Sequence, residues 1–145
     1  MTTLRRLFDI LSRQEELFPK KDALSAKVNG SWVFTSIADF RKSADRASKS
    51  LIALGLKKGD TVAIISANRP EWNMLDIGLQ QAGVVSVPIY TTLSGSEIEF
   101  ILNDSGAKLV FTGDKNLFDK IAEIRNRNVS RHGLLLREGV VAAKP

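Results

Sequence analysis

The chain has no cysteine and a single histidine among its 145 residues. The first absence removes disulfides, thiolate metal sites and cysteine nucleophiles together, and it is compatible with a reducing compartment. The lone histidine, His132, stands in an unpatterned stretch with no identifiable Ser, Asp or Glu partner and no second metal ligand, so it reads as a solvent-exposed side chain. Long apolar runs are also missing: residues 61–66 and 84–90 fall far short of the roughly 20 that a membrane-spanning helix needs. The start is not a signal peptide, because Arg5 and Arg6 precede a stretch broken by Asp9, Arg13, Glu15 and Glu16. A cytoplasmic location is the resulting expectation.

What is present describes an ordinary globular chain. It is 43% hydrophobic and 26% charged, with a mean hydropathy of −0.06. Its length suits one domain with a real core, and not two. The net charge of +5 invites nucleic acid until it is divided along the chain: residues 1–60 carry +5, residues 61–126 carry −3 and residues 127–145 carry +3. The best-patterned segment is therefore acidic. No lysine or arginine cluster is interleaved with aromatics, and nucleic-acid binding is set aside.

Local patterns predict an α/β chain. Leu4, Leu7, Phe8 and Leu11 share the spacing of one helix face, with Pro19 as the stop. Residues 23–29 and 31–35 flank Asn29-Gly30, the signature of a tight hairpin. Thr35 or Ser36 can cap a helix whose stripe is Ile37, Phe40, Ala44, Ala47, Leu51 and Leu54, ended by Gly55. Strands at 61–66, 84–88 and 108–112 then alternate with helices at 70–82, 96–104 and 115–125. Asn68 and Pro70 open the first of these helices, Ser94 with Glu97 makes a capping box for the second, and Asp114 caps the third. Such βαβαβα order is most simply an open, mainly parallel sheet, preceded by the amino-terminal helix and hairpin. Residues 1–125 form the patterned unit. Residues 126–145 read as an unpatterned, loosely held tail in which 134–136 could pair as a short strand.

In open α/β sheets ligands bind beyond the carboxyl ends of the strands, here the segments starting at Ala67, Ile89 and Gly113. Ser66-Ala67-Asn68-Arg69-Pro70 lacks the glycines of a dinucleotide fingerprint, and Gly113-Asp114-Lys115-Asn116 lacks the spacing of a phosphate loop. Asp60, after Gly59, reads as a turn former and not an acid catalyst. Glu97 and Glu99 lie two apart on a helix and face different ways. Asn68-Arg69-Pro70-Glu71-Trp72 is the most distinctive cluster. It reads first as a helix start, while its place beyond a strand end makes Arg69 and Trp72, with Tyr90, candidates for the border of a pocket. No catalytic, cofactor-binding or metal-ligating residue is assigned.

The succession of Trp32-Val33-Phe34-Thr35, Gly55-Leu56-Lys57-Lys58-Gly59-Asp60-Thr61-Val62-Ala63-Ile64, Asn68-Arg69-Pro70-Glu71-Trp72, Ala82-Gly83-Val84-Val85-Ser86-Val87-Pro88-Ile89-Tyr90 and Ile101-Leu102-Asn103-Asp104-Ser105-Gly106-Ala107-Lys108 resembles the amino-terminal portion of long-chain fatty acid–CoA ligases. These acyl-CoA synthetases belong to the AMP-binding, adenylate-forming superfamily. The resemblance runs from about residue 4 to about residue 125. It implies part of an adenylate-forming enzyme's amino-terminal domain, and a family reaction in which a fatty acid and ATP form an acyl-adenylate before transfer to coenzyme A, with Mg aiding the first step.

The family's phosphate loop, adenine segment, ribose-binding aspartate and carboxy-terminal lysine all lie downstream of the resemblance, and none occurs here. The chain is therefore expected to be an incomplete, inactive portion that binds no cofactor by itself. A premature stop, a frameshifted ending or a deliberate cut would each produce it. Uncovered strand edges and apolar faces favour self-association. The resemblance also implies work at membrane surfaces as a peripheral protein, although no anchor is visible. Two other readings stay open: a non-catalytic module contacting a full-length synthetase, and a small flavodoxin-like or receiver-like domain. The receiver reading lacks acidic residues at strand ends, which are Ser66, Pro88 and Thr112.

Overall fold

The structure, a computed structural model, describes residues 4–128 and 135–138, with backbone alone for 125–128 and 135–138. Helix α1 spans Asp9–Leu17. The spacing of Leu4, Leu7, Phe8 and Leu11 predicts a start near residue 4, and the structure corrects this. The Asp9 carboxylate accepts the backbone N–H groups of Arg5 at 3.1 Å and Arg6 at 2.9 Å, and the Arg6 guanidinium at 2.9 Å. The preceding residues are thus held as a turn around one carboxylate, and Leu7 stays exposed while Leu11 is buried.

Strands β1 (Leu24–Val28) and β2 (Ser31–Thr35) pair antiparallel, with Val28 opposite Ser31. The two-residue turn between them has positive φ at Asn29 (49°) and Gly30 (83°), as a type I′ turn requires. Ser36, rather than Thr35, caps α2 (Ile37–Ala53) by accepting the Asp39 N–H. Of the predicted stripe, Ile37, Phe40, Ala44, Ala47 and Leu51 are buried. Leu54 is exposed, because the helix has already ended at Ala53.

Four strands follow: β3 (Thr61–Ile65), β4 (Val85–Ile89), β5 (Leu109–Thr112) and β6 (Leu135–Glu138). They form one parallel sheet in the order β4-β3-β5-β6, separate from the hairpin. Helices α3 (Pro70–Gln81), α4 (Gly95–Ser105) and α5 (Lys115–Asn128) connect them. Strand β6 lies in the stretch expected to be a loosely held tail, near 134–136, which could pair as a short strand; Leu135 stands opposite Leu109 and Glu138 opposite Thr112. Helix α5 runs past the predicted end at 125.

The sheet is covered on both sides, which is why β3 and β5 read as unbroken apolar runs. Leu75 and Leu79 of α3 and Leu51 of α2 pack on Val62, Ile64, Leu109 and Phe111. On the other face Ile98 and Leu102 of α4 join Leu117, Ile121 and Ile124 of α5 against Ala63, Ile65 and Val110. A third layer sets Leu11 of α1 and Ile37, Phe40 and Ala44 of α2 against Met74 and Ile77 of α3. Each fully buried Leu or Ile contributes roughly 1.5–3 kcal/mol relative to exposure. Among the described residues, no helix is long and apolar enough to cross a membrane.

Candidate functional site

Between β3 and β5 the neighbouring strands send their connections both to opposite faces and in opposite directions along the sheet, β3 toward β4 and β5 toward β6. From β3 the chain turns into α3 on one face, and from the adjacent β5 it turns into α5 on the other. This reversal between β3 and β5 is where an open α/β sheet usually forms its ligand crevice. Here the crevice is shut. The Gly113 N–H donates to Ile65 O at 2.9 Å. A Cβ on Gly113 would stand 2.3 Å from Ser66 Oγ and 3.0 Å from Ser66 Cα, so the two strand-end loops lie directly against each other. Arg69 Nη1 closes the gap by donating to Gly113 O at 3.1 Å.

The helix starts around this edge are no more open to an anion. Pro70 at the first position of α3 has no N–H to offer, and Glu71 follows in the first turn. At α4, Ser94 and Glu97 form the predicted capping box, in which Glu97 Oε2 accepts the Ser94 N–H at 2.8 Å. At α5, Asp114 Oδ1 accepts the Leu117 N–H at 2.9 Å, as expected of a cap. Donors and positive dipole ends that could hold a phosphate are thus missing or already matched to the chain's own acceptors and carboxylates. These residues do not fit a nucleotide phosphate. Among the described residues no three His, Cys, Asp or Glu side chains gather around a point where a cation could sit. The buried Thr112 Oγ1 has no hydrogen-bond partner, but by strand alternation it shares the α4/α5 face with Val110 and does not open onto the crevice.

Arg69, Trp72 and Tyr90 separate into two roles. Arg69 has extended backbone (φ −159°) and occupies the cap position of α3. Asn68, expected to cap, stands one residue too early, and α3 has no side-chain cap at all. The Arg69 Nε lies 2.9 Å from Glu71 Oε2. This hydrogen bond holds the Glu71 carboxyl below its ordinary value and pushes the guanidinium up. The Arg69 cation is therefore committed to Glu71 and to the Gly113 carbonyl.

Trp72 and Tyr90 come together around a pocket of about 440 Å³ at the carboxyl ends of β3 and β4, floored by Pro88 and Ile89 with Ser66, Asn68 and Thr91 as polar groups. Arg69 does not line it, and joins Trp72 instead in an adjoining hollow of about 240 Å³. No charged side chain lines the larger pocket, so its chemistry suits an uncharged, largely apolar group with a few hydrogen bonds. A third, open groove of about 740 Å³ runs between the hairpin and residues 67–71.

At the opposite end of the sheet Asp60 is a turn former, as read from sequence. Its Oδ2 accepts the Lys57 N–H at 2.8 Å, and its Oδ1 meets Lys108 Nζ at 2.6 Å. The hydrogen bond from Lys108 holds its carboxyl below the ordinary range, which unsuits it as a general acid. The Asp60–Lys108 pair and the Ser66–Gly113 approach carry no local signal, because each joins residues more than forty apart. His132 lies outside the described residues.

Comparison with known proteins bears on the whole segment. The family model for AMP-binding enzymes matches residues 11–144. The long-chain-fatty-acid–CoA ligase FadD15 of Mycobacterium bovis is 35% identical over 97 residues, which are 67% of this chain and 16% of the relative. The human long-chain-fatty-acid–CoA ligase ACSBG1 is 31% identical over 123 residues, 85% of this chain and 16% of that one. The solved Mycobacterium tuberculosis fatty acyl CoA synthetase superposes with a TM-score of 0.81 at 29% identity, over 96% of this chain and 27% of its own. The chain thus spans a small part of the length of the relatives it matches.

Proposed function

Because the chain belongs to the AMP-binding enzyme family, we propose that it is the amino-terminal part of a long-chain fatty acid–CoA ligase and is inactive alone. The complete reaction would activate a fatty acid with ATP, release pyrophosphate, and pass the acyl group from adenylate to coenzyme A. Mg would supply charge neutralisation at the phosphates. On this reading residues 1–125 belong to an incomplete subdomain that continues through the end of α5 at Asn128 and strand β6 at Leu135–Glu138, and the location is cytoplasmic, peripheral to membranes.

One observation carries the inactivity: the β3/β5 crevice is closed by the Arg69–Gly113 bond, and the helix starts beside it are matched by Pro70, Glu71, Glu97 and Asp114. Stabilising charge on a reacting phosphate needs preorganised donors, and this edge supplies none. The chain's contribution is then structural support and, at Trp72 and Tyr90, a wall suited to an uncharged part of a substrate.

Fatty-acid-dependent ATP–pyrophosphate exchange on the purified chain tests the reading. Exchange at the level of a protein-free blank is expected. Robust exchange that depends on added fatty acid would refute it.

A further inference from the structure

Asn29 is the one asparagine followed by glycine in the chain. Among the described residues it is also the one residue other than glycine with positive φ, at 49°. Both features belong to the turn between β1 and β2, where Asn29 and Gly30 are exposed. A Cβ on Gly30 would meet no atom within 4 Å beyond its chain neighbours, so nothing shields this backbone. Among the described residues, neither the Asn29 carboxamide nor the Gly30 N–H has a hydrogen-bond partner. An electrophilic carbonyl and the backbone nitrogen that can reach it in a five-membered ring thus stand side by side in water, with nothing to hold either. Glycine matters here, because a side chain at position 30 would screen its own nitrogen. Asn73 and Asn103, by contrast, lie inside α3 and α4, whose helical backbone does not turn the following nitrogen toward the side chain.

We propose that Asn29 is a site of self-modification: it loses its side-chain amide through a succinimide, and the isoaspartate that results releases the β1–β2 hairpin. Gly30 N, once its proton has passed to hydroxide, adds to Asn29 Cγ, and Nδ2 leaves as ammonia after taking a proton from water. A second water then opens the ring. Attack at Cγ breaks the new bond and gives aspartate. Attack at the backbone carbonyl carbon breaks the original peptide bond and routes the chain through Cγ as isoaspartate. Overall one water is consumed and one ammonia released, without oxidant, metal or enzyme. Isoaspartate lengthens the backbone of the loop by a methylene. The Val28–Ser31 pairing requires a loop of two ordinary residues with positive φ at both, so that register is lost. The hairpin has little stability to spare, being a separate two-stranded sheet that packs through Leu24 on the layer formed by α1, α2 and α3. The chemistry is the chain's own and is independent of the ligase reading.

The test is incubation of the full chain in mildly alkaline buffer, folded and in urea, followed by tryptic mass mapping. Cleavage after Lys27 and Arg41 isolates residues 28–41, in which a gain of about 1 Da marks loss of the amide. Methylation by an isoaspartate methyltransferase with S-adenosylmethionine distinguishes isoaspartate from aspartate. The converted chain, whose net charge falls from +5 to +4, is separated by ion exchange. Amide hydrogen exchange of residues 24–35 is then compared with that of the wild type and of Asn29→Asp, which carries the same added charge on an ordinary backbone that suits the same turn.

In the folded chain Asn29 is expected to convert at least roughly tenfold faster than Asn68, Asn73, Asn103 and Asn116, and within roughly tenfold of its own rate in urea. The isoaspartate form is expected to exchange its hairpin amides at least roughly tenfold faster, while α2 and α3 keep their protection and Asn29→Asp exchanges like the wild type. An Asn29 that stays intact in the folded chain while the unfolded chain converts overturns the proposal, because the turn then guards the side chain. So does an isoaspartate hairpin as protected as that of the wild type. An Asn29→Asp variant that loosens to the same extent overturns it too, since the charge and not the lengthened backbone is then the cause.

Discussion

Replacing Gly78 with alanine pits two effects of known size against each other. Gly78 sits inside α3, where alanine would favour the helix by about 0.8–1.0 kcal/mol. The position faces α2 at close range. A Cβ added there would lie 2.7 Å from Ala47 Cβ, 3.0 Å from Ala44 O and 3.1 Å from Ser48 N. Two of these neighbours are backbone atoms and the third is a methyl with no rotamer to change, so relief requires the two helices to move apart. Overpacking a tight site costs about 1–3 kcal/mol, and the absence of any yielding side chain puts this one near the upper end. The net expectation for Gly78→Ala is a loss of about 2 kcal/mol, or a melting temperature lower by roughly 4–8 °C. Urea unfolding of the chain measures it. Ala47→Gly in the same molecule removes the 2.7 Å contact and should return roughly 1 kcal/mol as coupling between the two sites. A Gly78→Ala variant as stable as the wild type, or more so, would refute the close α2–α3 seam.

Two further outcomes are expected. Ser94→Ala removes one half of the capping box at α4 and should cost about 1 kcal/mol in urea unfolding, while Ser96→Ala, which removes only a hydroxyl 3.2 Å from Ser94 Oγ, should cost less. The Asp60 carboxyl is held below the ordinary aspartate value of 3.8 by the hydrogen bond from Lys108 and the Lys57 N–H. A depressed folded value means that the stabilisation is fully present above 3.8 and is lost as pH falls through the lower folded value. The stability advantage of wild type over Asp60→Asn should therefore be level at neutral pH and shrink in acid below about 4, and an advantage that grew with acidification would contradict the pairing.

Much of the fold was legible because its signals are local. Asn29-Gly30 can take the positive φ angles of a two-residue turn, and the hairpin forms there. Ser94-x-x-Glu97 and Asp114 name their helix starts because each cap reaches only three residues along the chain. The misreadings arise where a side chain competes with periodicity. The apolar spacing of Leu4 and Leu7 is genuine, but the Asp9 carboxylate captures the two preceding backbone donors and delays α1. Asn68 carries a good capping side chain at a position that Arg69, extended before Pro70, takes instead. Strand β6 is four residues long, too short for a period to declare itself, and its place is set by β5, some twenty-six residues away.

The candidate site shows the same division between local and distant causes. Trp72 and Tyr90 are drawn to one pocket because β3 and β4 are neighbours in register and both loops leave the same end of the sheet. That much follows from the order of elements. The fate of Arg69 does not, since it depends on Gly113 at the end of β5 and on the small side chain of Ser66 against which that glycine is pressed. Without a Cβ at Gly113 the two loops can touch, and once they touch, the Gly113 carbonyl is within reach of the arginine. Three residues thus fill the strand ends between β3 and β5, and the open space lies one strand over, on the β3–β4 side, where α3 and α4 also leave to opposite faces. A larger residue at 113 would drive the loops apart and withdraw the Arg69 bond at the same time, because one close approach supports both.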